Sequence, residues 1–240
     1  MANINTYGNK ILQYNGRFFA STPLLLQNIY SAYNVDGNVN DSLGLKNGTF
    51  VGTATYSAGV IGQAINLNGS SYVALPTNTH NLTGNFTLSL WINLTAFSSS
   101  SKLASTYTNT GVQNGWTFAI TASGGITFNA WNAGTSVSTL TAVNGSISSA
   151  TWTHLVLVYN SGSGTSLYKN GTLLASGTAT TGISYYTTFY PTIGANKYTA
   201  SLVDGYISGK MDGIFFWDRA FNIDEVAILY KNGSGNQYPF

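Results

Sequence analysis

Apolar and polar residues alternate with a period of two along most of this chain, and that alternation predicts short strands. Residues 85–94 show it most cleanly: Phe86, Leu88, Leu90 and Ile92 fall on one side, Thr87, Ser89 and Trp91 on the other. The stretch Thr151 to Gly177, TWTHLVLVYNSGSGTSLYKNGTLLASG, predicts three strands in succession. An apolar run at 153–159 meets an Asn/Ser/Gly turn. A second strand at 166–169 then closes on Asn170-Gly171, a strong two-residue hairpin signal, before a third at 172–175. Further strands are predicted at 102–107, 137–143, 188–193 and 209–217. A hairpin joins 115–121 to 126–131 across Ser123-Gly124-Gly125. GQAINLNGSSYVAL (62–75) predicts two strands about Asn68-Gly69, whereas 30–62 reads as loop-rich. Helix is nearly absent. Its one candidate is 223–231, where Asn222 suits an N-cap, Glu225 completes a capping box, and Val226, Leu229 and Tyr230 form an apolar stripe. Lys231 ends it where the helix dipole favours a cation. At the N-terminus, 10–14 and 17–20 predict a small hairpin about Asn15-Gly16. This gives an N-terminal arm at 1–27 and a main domain at 28–240, the alternative being a first strand pair of the main domain. With about a dozen strands, the architecture expected is all-β, a two-sheet antiparallel sandwich.

Composition sharpens this picture. Charged residues make up only 7% of the 240 residues, against roughly 25% in an average domain, so Ser, Thr, Asn and Gly must supply the polar surface. Aromatics at 14% with only four prolines argue against disorder. The net charge of +2 comes from scattered residues with no basic patch, which gives nucleic-acid binding no support. There is no cysteine, hence no disulfide or thiolate metal site. The first residues lack the pattern of a Sec signal, and Leu24-Leu25-Leu26 is far too short to span a bilayer, so no membrane insertion is expected.

Seven segments occur in an order that resembles the laminin-G-like, concanavalin A-like jelly roll: AYNVDGNVNDSLG (32–44), GVIGQAINLNGSSYVALP (59–76), FTLSLWI (86–92), WTHLVLVY (152–159), LYKNGTLLASG (167–177), PTIGAN (191–196) and GYISGKMDGIFFWDRAFNIDEVAILY (205–230). Together they cover about 30 to 235. The resemblance implies a fold that serves lectins, adhesion modules, glycosidases and plain structural domains. It places Trp91 and Trp152 at core positions. It also implies a structural Ca²⁺ held by Asp36, Asp41 and Asp212, with Asn side chains and loop carbonyls completing the shell. The bland reading of Asp36 and Asp41 is an Asx turn.

The candidate chemistry points to binding rather than turnover. Glycoside hydrolysis needs two facing carboxylates. The chain has a single Glu, Glu225, and no predicted strand carries two acids at i, i+2 or i+4. His154 and Tyr159 lie five residues apart on one strand, hence on opposite faces. His154 reads as a core or sheet-face histidine and His80 as a solvated one in a polar loop. A polysaccharide-degrading enzyme is therefore the lesser alternative, and no catalytic residue is assigned. Glycans stack on exposed aromatics and hydrogen-bond to nearby amides. On 126–131, Ile126, Phe128 and Ala130 suit the core, which leaves Trp131 beside Asn129 on a polar face. Trp116 aligns with Phe118 and Ile120 as core, and Trp217 is expected to be partly buried. Tyr185, Tyr186, Phe189 and Tyr190 in SYYTTFY (184–190) suggest an aromatic rim for a glycan, or equally a protein interface. Nine Asn-x-Ser/Thr sequons read as turn chemistry.

The opening MANINTYGNKILQYNGRF resembles the short arms of tailed-phage structural proteins. That resemblance implies a virion surface protein, with 1–27 docked to other virion proteins and a lectin-like sandwich outward. An extracellular protein and a purely structural decoration protein are the alternatives. Phage appendages are often homo-oligomers, although no coiled-coil heptad is visible.

Overall fold

The computed structural model describes residues 11–14, 17–20, 24–53, 55–99 and 101–240. Among them are two eight-stranded antiparallel sheets packed face to face, the predicted jelly-roll sandwich. The back sheet runs Thr172–Gly177, Gly164–Lys169, Thr153–Asn160, Phe86–Ala96, Ser208–Trp217, Gln63–Asn68, Thr55–Ala58, with Ile29–Tyr33 also paired to Ser208–Trp217. The front sheet runs Thr135–Ala142, Ile126–Asn132, Gln113–Ile120, Ser101–Ser105, Thr192–Ile193, Tyr72–Ala74, Thr49–Val51, and Thr108–Asn109 adds to Gln113–Ile120.

The alternation in the sequence decides which side chains meet between the sheets. Phe86, Leu88, Leu90 and Ile92 from the back sheet, with Leu155, Leu157 and Tyr159, pack on Trp116, Phe118, Phe128 and Leu140 from the front. Phe86 stacks on Trp116 and Tyr159, with centroids 5.8 and 5.3 Å apart.

The back sheet is covered on its outer side as well. Leu25, Val156, Val158, Phe215, Trp217, Phe221, Val226 and Leu229 form a second apolar cluster there. The helix Ile223–Tyr230 supplies its lid, and both halves of the predicted capping box are present: Glu225 N donates to Asn222 Oδ1 and Asn222 N donates to Glu225 Oε2. Arg219 adds an ion pair to Glu225 at 2.5 Å. Trp217, expected to be partly buried, is fully buried and donates from Nε1 to Leu25 O at 2.7 Å. The chain is thus docked on the sandwich from Leu24 onward, Arg219 also donating to Leu24 O and Gln27 O. Ile11–Tyr14 and Arg17–Ala20 pair as the predicted hairpin. The remainder of 1–23 lies outside the described residues.

Other expectations need correction. The two strands predicted about Asn68-Gly69 are present, but Gln63–Asn68 belongs to the back sheet and Tyr72–Ala74 to the front, so this turn crosses between layers. The stretch read as loop contains Ile29–Tyr33, Thr49–Val51 and Thr55–Ala58. The strand at 188–193 shrinks to Thr192–Ile193. Trp152 is half-buried rather than core. His80 is not solvated but fully buried, packed edge-on to Phe216 with centroids 4.7 Å apart. Among the described residues no helix is long and apolar enough to cross a membrane.

Candidate functional site

On the outward face of the front sheet Ser105, Tyr107, Thr117 and Ala119 are buried, Ser105 against the 196–204 hairpin, while Thr127, Asn129 and Trp131 remain half-exposed. Cross-strand partners share a face. One row across the sheet is Lys102, Ala119, Thr127, Thr141, and the next is Ser105, Thr117, Asn129, Thr139. Trp131 stands beyond Asn129, opposite Gly115. The predicted placement of Asn129 and Trp131 on the polar side of their strand is what the structure shows, and both are half-exposed. Among the described residues the Asn129 side-chain amide has no hydrogen-bond partner.

Tyr107 completes the platform, and the sequence pattern missed it. Its ring lies 4.6 Å from that of Trp131, centroid to centroid, and its hydroxyl accepts from Gln113 Nε2 at 3.0 Å. Simple alternation from Lys102 would turn Tyr107 inward. The register between Ser101–Ser105 and Gln113–Ile120 shifts at Phe118/Ala119, where Ala119 pairs with Lys102 and Phe118 with Ala104, leaving Leu103 as the extra residue. Leu103 and Ala104 both enter the core, so Ser105 and Tyr107 rejoin the outward face of Lys102. Gly115 has φ +81°, and a Cβ there would lie 2.4 Å from Thr106 O, so glycine lets its strand approach the backbone next to Tyr107.

The short hairpin formed by Asn196–Lys197 and Val203–Asp204 continues this surface. Asn196 is fully buried and meets the Ser105 hydroxyl. Tyr198 packs edge-on to Tyr107 at 5.6 Å, and its hydroxyl donates to Asp204 Oδ2 at 3.0 Å. Burial lowers the Lys102 ammonium pKa, and the nearby Asp204 carboxylate opposes that shift. Trp131, Tyr107, Tyr198, Asp204 and Lys102 therefore form a continuous strip of aromatic and polar groups.

The aromatics of 184–190 do not make one rim. Tyr185 turns inward, donates to Leu82 O at 3.0 Å and packs on buried Phe189; burial pushes its phenol pKa up. Tyr186 straps the 110–112 loop, donating to Val112 O and accepting from Val112 N. Tyr190 lies under Lys197, whose Nζ is 4.9 Å from the ring centroid.

The three aspartates proposed for Ca²⁺ each brace a loop. Asp41 accepts from the backbone N–H groups of Ala32, Leu43 and Lys46. Asp212 Oδ2 accepts from Val60 N and Ile61 N, and Asp36 Oδ1 from Gln63 N, so these two flank the 59–63 turn. Asp36 Oδ2 also accepts from Gln237 Nε2. Burial raises the Asp212 pKa to about 6 against the lowering effect of its backbone donors. Among the described residues no three acidic or histidine side chains gather as metal ligands. The three carboxylates are held as loop braces by these backbone donors.

Glu225 and His154 are both held in structural contacts. Glu225 caps its helix and pairs with Arg219. His154 is buried on the outer side of the back sheet, its Nε2 2.8 Å from Ser89 Oγ and its ring against Trp91 and Tyr230. Tyr159 faces the central core, on the opposite side, as the spacing predicts.

Known proteins share this architecture. Domain 4 of AbnA, a GH43 extracellular arabinanase from Geobacillus stearothermophilus solved in complex with arabinotriose, is 19% identical, with a TM-score of 0.65, over 87% of this chain and 98% of that one. The binding domain of botulinum neurotoxin DC, solved in complex with SialylT, is 15% identical with a TM-score of 0.63; the match covers 85% of this chain and 51% of that one. The same toxin domain solved with rat synaptotagmin II is 16% identical, with a TM-score of 0.63 and coverages of 85% and 51%. This chain thus spans about half the length of the toxin domains. No curated protein matches it. The sequence pattern of the concanavalin A-like lectin/glucanases superfamily matches residues 67–227, well over half of the chain. The strands from Gln63–Asn68 to Ser208–Trp217 and the helix behind them are therefore those of a concanavalin A-like domain, and the chain belongs to that superfamily.

Proposed function

We propose that this protein is a non-catalytic glycan-binding module whose binding surface is the outward face of the front sheet. The observation that carries the reading is the half-exposed Trp131, packed on the buried Tyr107 ring with half-exposed Asn129 and Thr127 on the same face of its strand. Aromatic rings supply an apolar platform for a sugar face, and small polar neighbours leave room for its hydroxyls. The complexes of similarly folded domains with arabinotriose and SialylT support the same use of the fold. The dispersal of Glu225, His154 and the aspartates into capping and bracing roles supports binding without turnover.

The same reading makes the protein a phage virion surface component that meets cell-surface or environmental glycans, with residues 1–27 as its attachment to other virion proteins. In support, Leu25 packs on the outer side of the back sheet, away from the Trp131 face.

A glycan array probed with the full-length protein and with Trp131→Ala tests the binding reading. Wild-type protein is expected to bind a subset of glycans, and the variant to lose at least tenfold in affinity with an unchanged Tm. Equal binding by both would overturn it. Copurification with phage particles tests the placement, and recovery only as free protein from host lysate would refute it.

A further inference from the structure

We infer that the outer side of the back sheet carries a second binding site, independent of the Trp131 face, for the anionic group of an acidic oligosaccharide. Four residues form one row across adjacent strands there. Lys210 pairs with Asn66 on one neighbouring strand and with Asn93 on the other. Ile65, Leu67, Ile92, Leu94 and Met211 beside them point into the core, so Asn66, Asn93 and Lys210 point outward. Thr153 pairs with the core residue Ile92, which places Trp152, the residue before it, outward beside Asn93. All four side chains are half-exposed. At the ~4.8 Å spacing of paired strands the row is about 14 Å long. A step in the surface runs along it. Asp212, Trp91 and His154 make the next row and are buried, with the 59–61 turn hydrogen-bonded over Asp212 and Tyr230 stacked on Trp91. That cover stops short of Lys210, whose row lies open at its foot.

The row offers donors in excess. Asn66 Oδ1 accepts from Ser57 Oγ at 3.2 Å, which leaves Nδ2 as the free end of that amide. Among the described residues the Lys210 ammonium and the Asn93 amide have no hydrogen-bond or ion-pair partner. Asp212, the acid on the same side of the same strand, gives its Oδ2 to Val60 N and Ile61 N instead. Lys210 Nζ between two amide donors suits a carboxylate or a sulfate, which only accepts hydrogen bonds. Trp152 at the end of the row supplies a flat apolar surface on which a sugar ring stacks. An inorganic anion would leave the indole unused, and an apolar protein face would leave the ammonium without a counter-charge. An acidic sugar uses both.

The test is calorimetry of wild-type protein, Lys210→Gln, Lys210→Arg, Trp152→Ala and Trp131→Ala against an oligogalacturonate, its uncharged methyl ester and a sulfated oligosaccharide of the same length. Wild-type protein should bind at least one of the two anionic probes, and which one it binds tells carboxylate from sulfate. Lys210→Gln removes the charge and keeps a polar side chain; it should weaken that binding about ten- to a hundredfold and leave any binding of the ester unchanged. Lys210→Arg should retain the anionic probe, Trp152→Ala should weaken it, and Trp131→Ala should match wild type. If neither anionic probe binds, or Lys210→Gln binds it as wild type does, the site is wrong. An equal loss for the ester would overturn recognition of the charge. If Trp131→Ala abolishes binding that Lys210→Gln retains, the ligand sits on the front sheet, and the second site falls while the Trp131 platform stands. Thermal unfolding of each variant identifies losses caused by misfolding.

Discussion

Lowering the pH from 6.5 to 4 should destabilise this fold by about 4 kcal/mol, and the source is two buried histidines. His80 is enclosed by Tyr30, Tyr33 and Phe216. The Thr79 hydroxyl gives its one hydrogen to Pro76 O at 2.6 Å, so Nδ1 of His80 must donate to Thr79 Oγ1 while Nε2 accepts from Ser31. That arrangement suits a neutral ring. His154 has a buried Nδ1 without a partner. Burial lowers both pKa values from 6.5 to about 3, with Lys46 contributing at His80. The folded state therefore holds fewer protons than the unfolded chain throughout this window. Stability falls with pH below 6.5 by about 1.4 kcal/mol per unit for each ring, or about 7 kcal/mol for the two by pH 4. Asp212 works in the opposite direction. Its carboxyl is raised from 3.8 to about 6, so the folded state takes up its proton first and regains about 3 kcal/mol between pH 6 and pH 4. The net loss is a large part of the roughly 5–15 kcal/mol that holds a typical domain together. Urea unfolding at half-unit pH intervals measures it directly. His154→Gln should reduce the slope by about 1.4 kcal/mol per pH unit. A stability that is flat or rising from pH 6.5 to 4, or imidazole resonances of the folded protein that titrate near 6.5, would refute the reasoning.

Asn222→Ala removes the acceptor for Glu225 N and should cost about 1 kcal/mol in urea unfolding; because the helix it starts covers Trp217, the loss should appear in the global transition rather than as local fraying. Ca²⁺ at millimolar concentration and EDTA should leave the Tm of the wild-type protein unchanged, since the oxygens of Asp36, Asp41 and Asp212 are engaged by N–H donors. A Ca²⁺-dependent rise in Tm that Asp212→Asn abolishes would instead assign the aspartates to a metal.

Period-two alternation was enough to place Phe86, Leu88, Phe118 and Phe128 in one core and to leave Asn129 and Trp131 outside it, because in a strand the backbone alone decides which face a side chain takes. Local chemistry also sufficed for the helix start, where Asn222 and Glu225 are three residues apart and meet through their own backbone. Tertiary structure decided what depends on partners distant in sequence. His80 lies in a polar stretch, and only the approach of Ser31, 49 residues away, together with Phe216 buries it. Asp212 is committed to a turn 151 residues earlier, which no spacing rule reveals. Asn68-Gly69 has hairpin chemistry, but whether its flanking strands pair depends on which sheet each joins. The binding face itself shows the same division. Trp131 followed from its own strand, whereas Tyr107 joined it through a one-residue register shift at Leu103, and Asp204 and Lys102 through a hairpin that packs against the sheet. A bulge is fixed by the fit between two strands, so neither strand's sequence alone carries it.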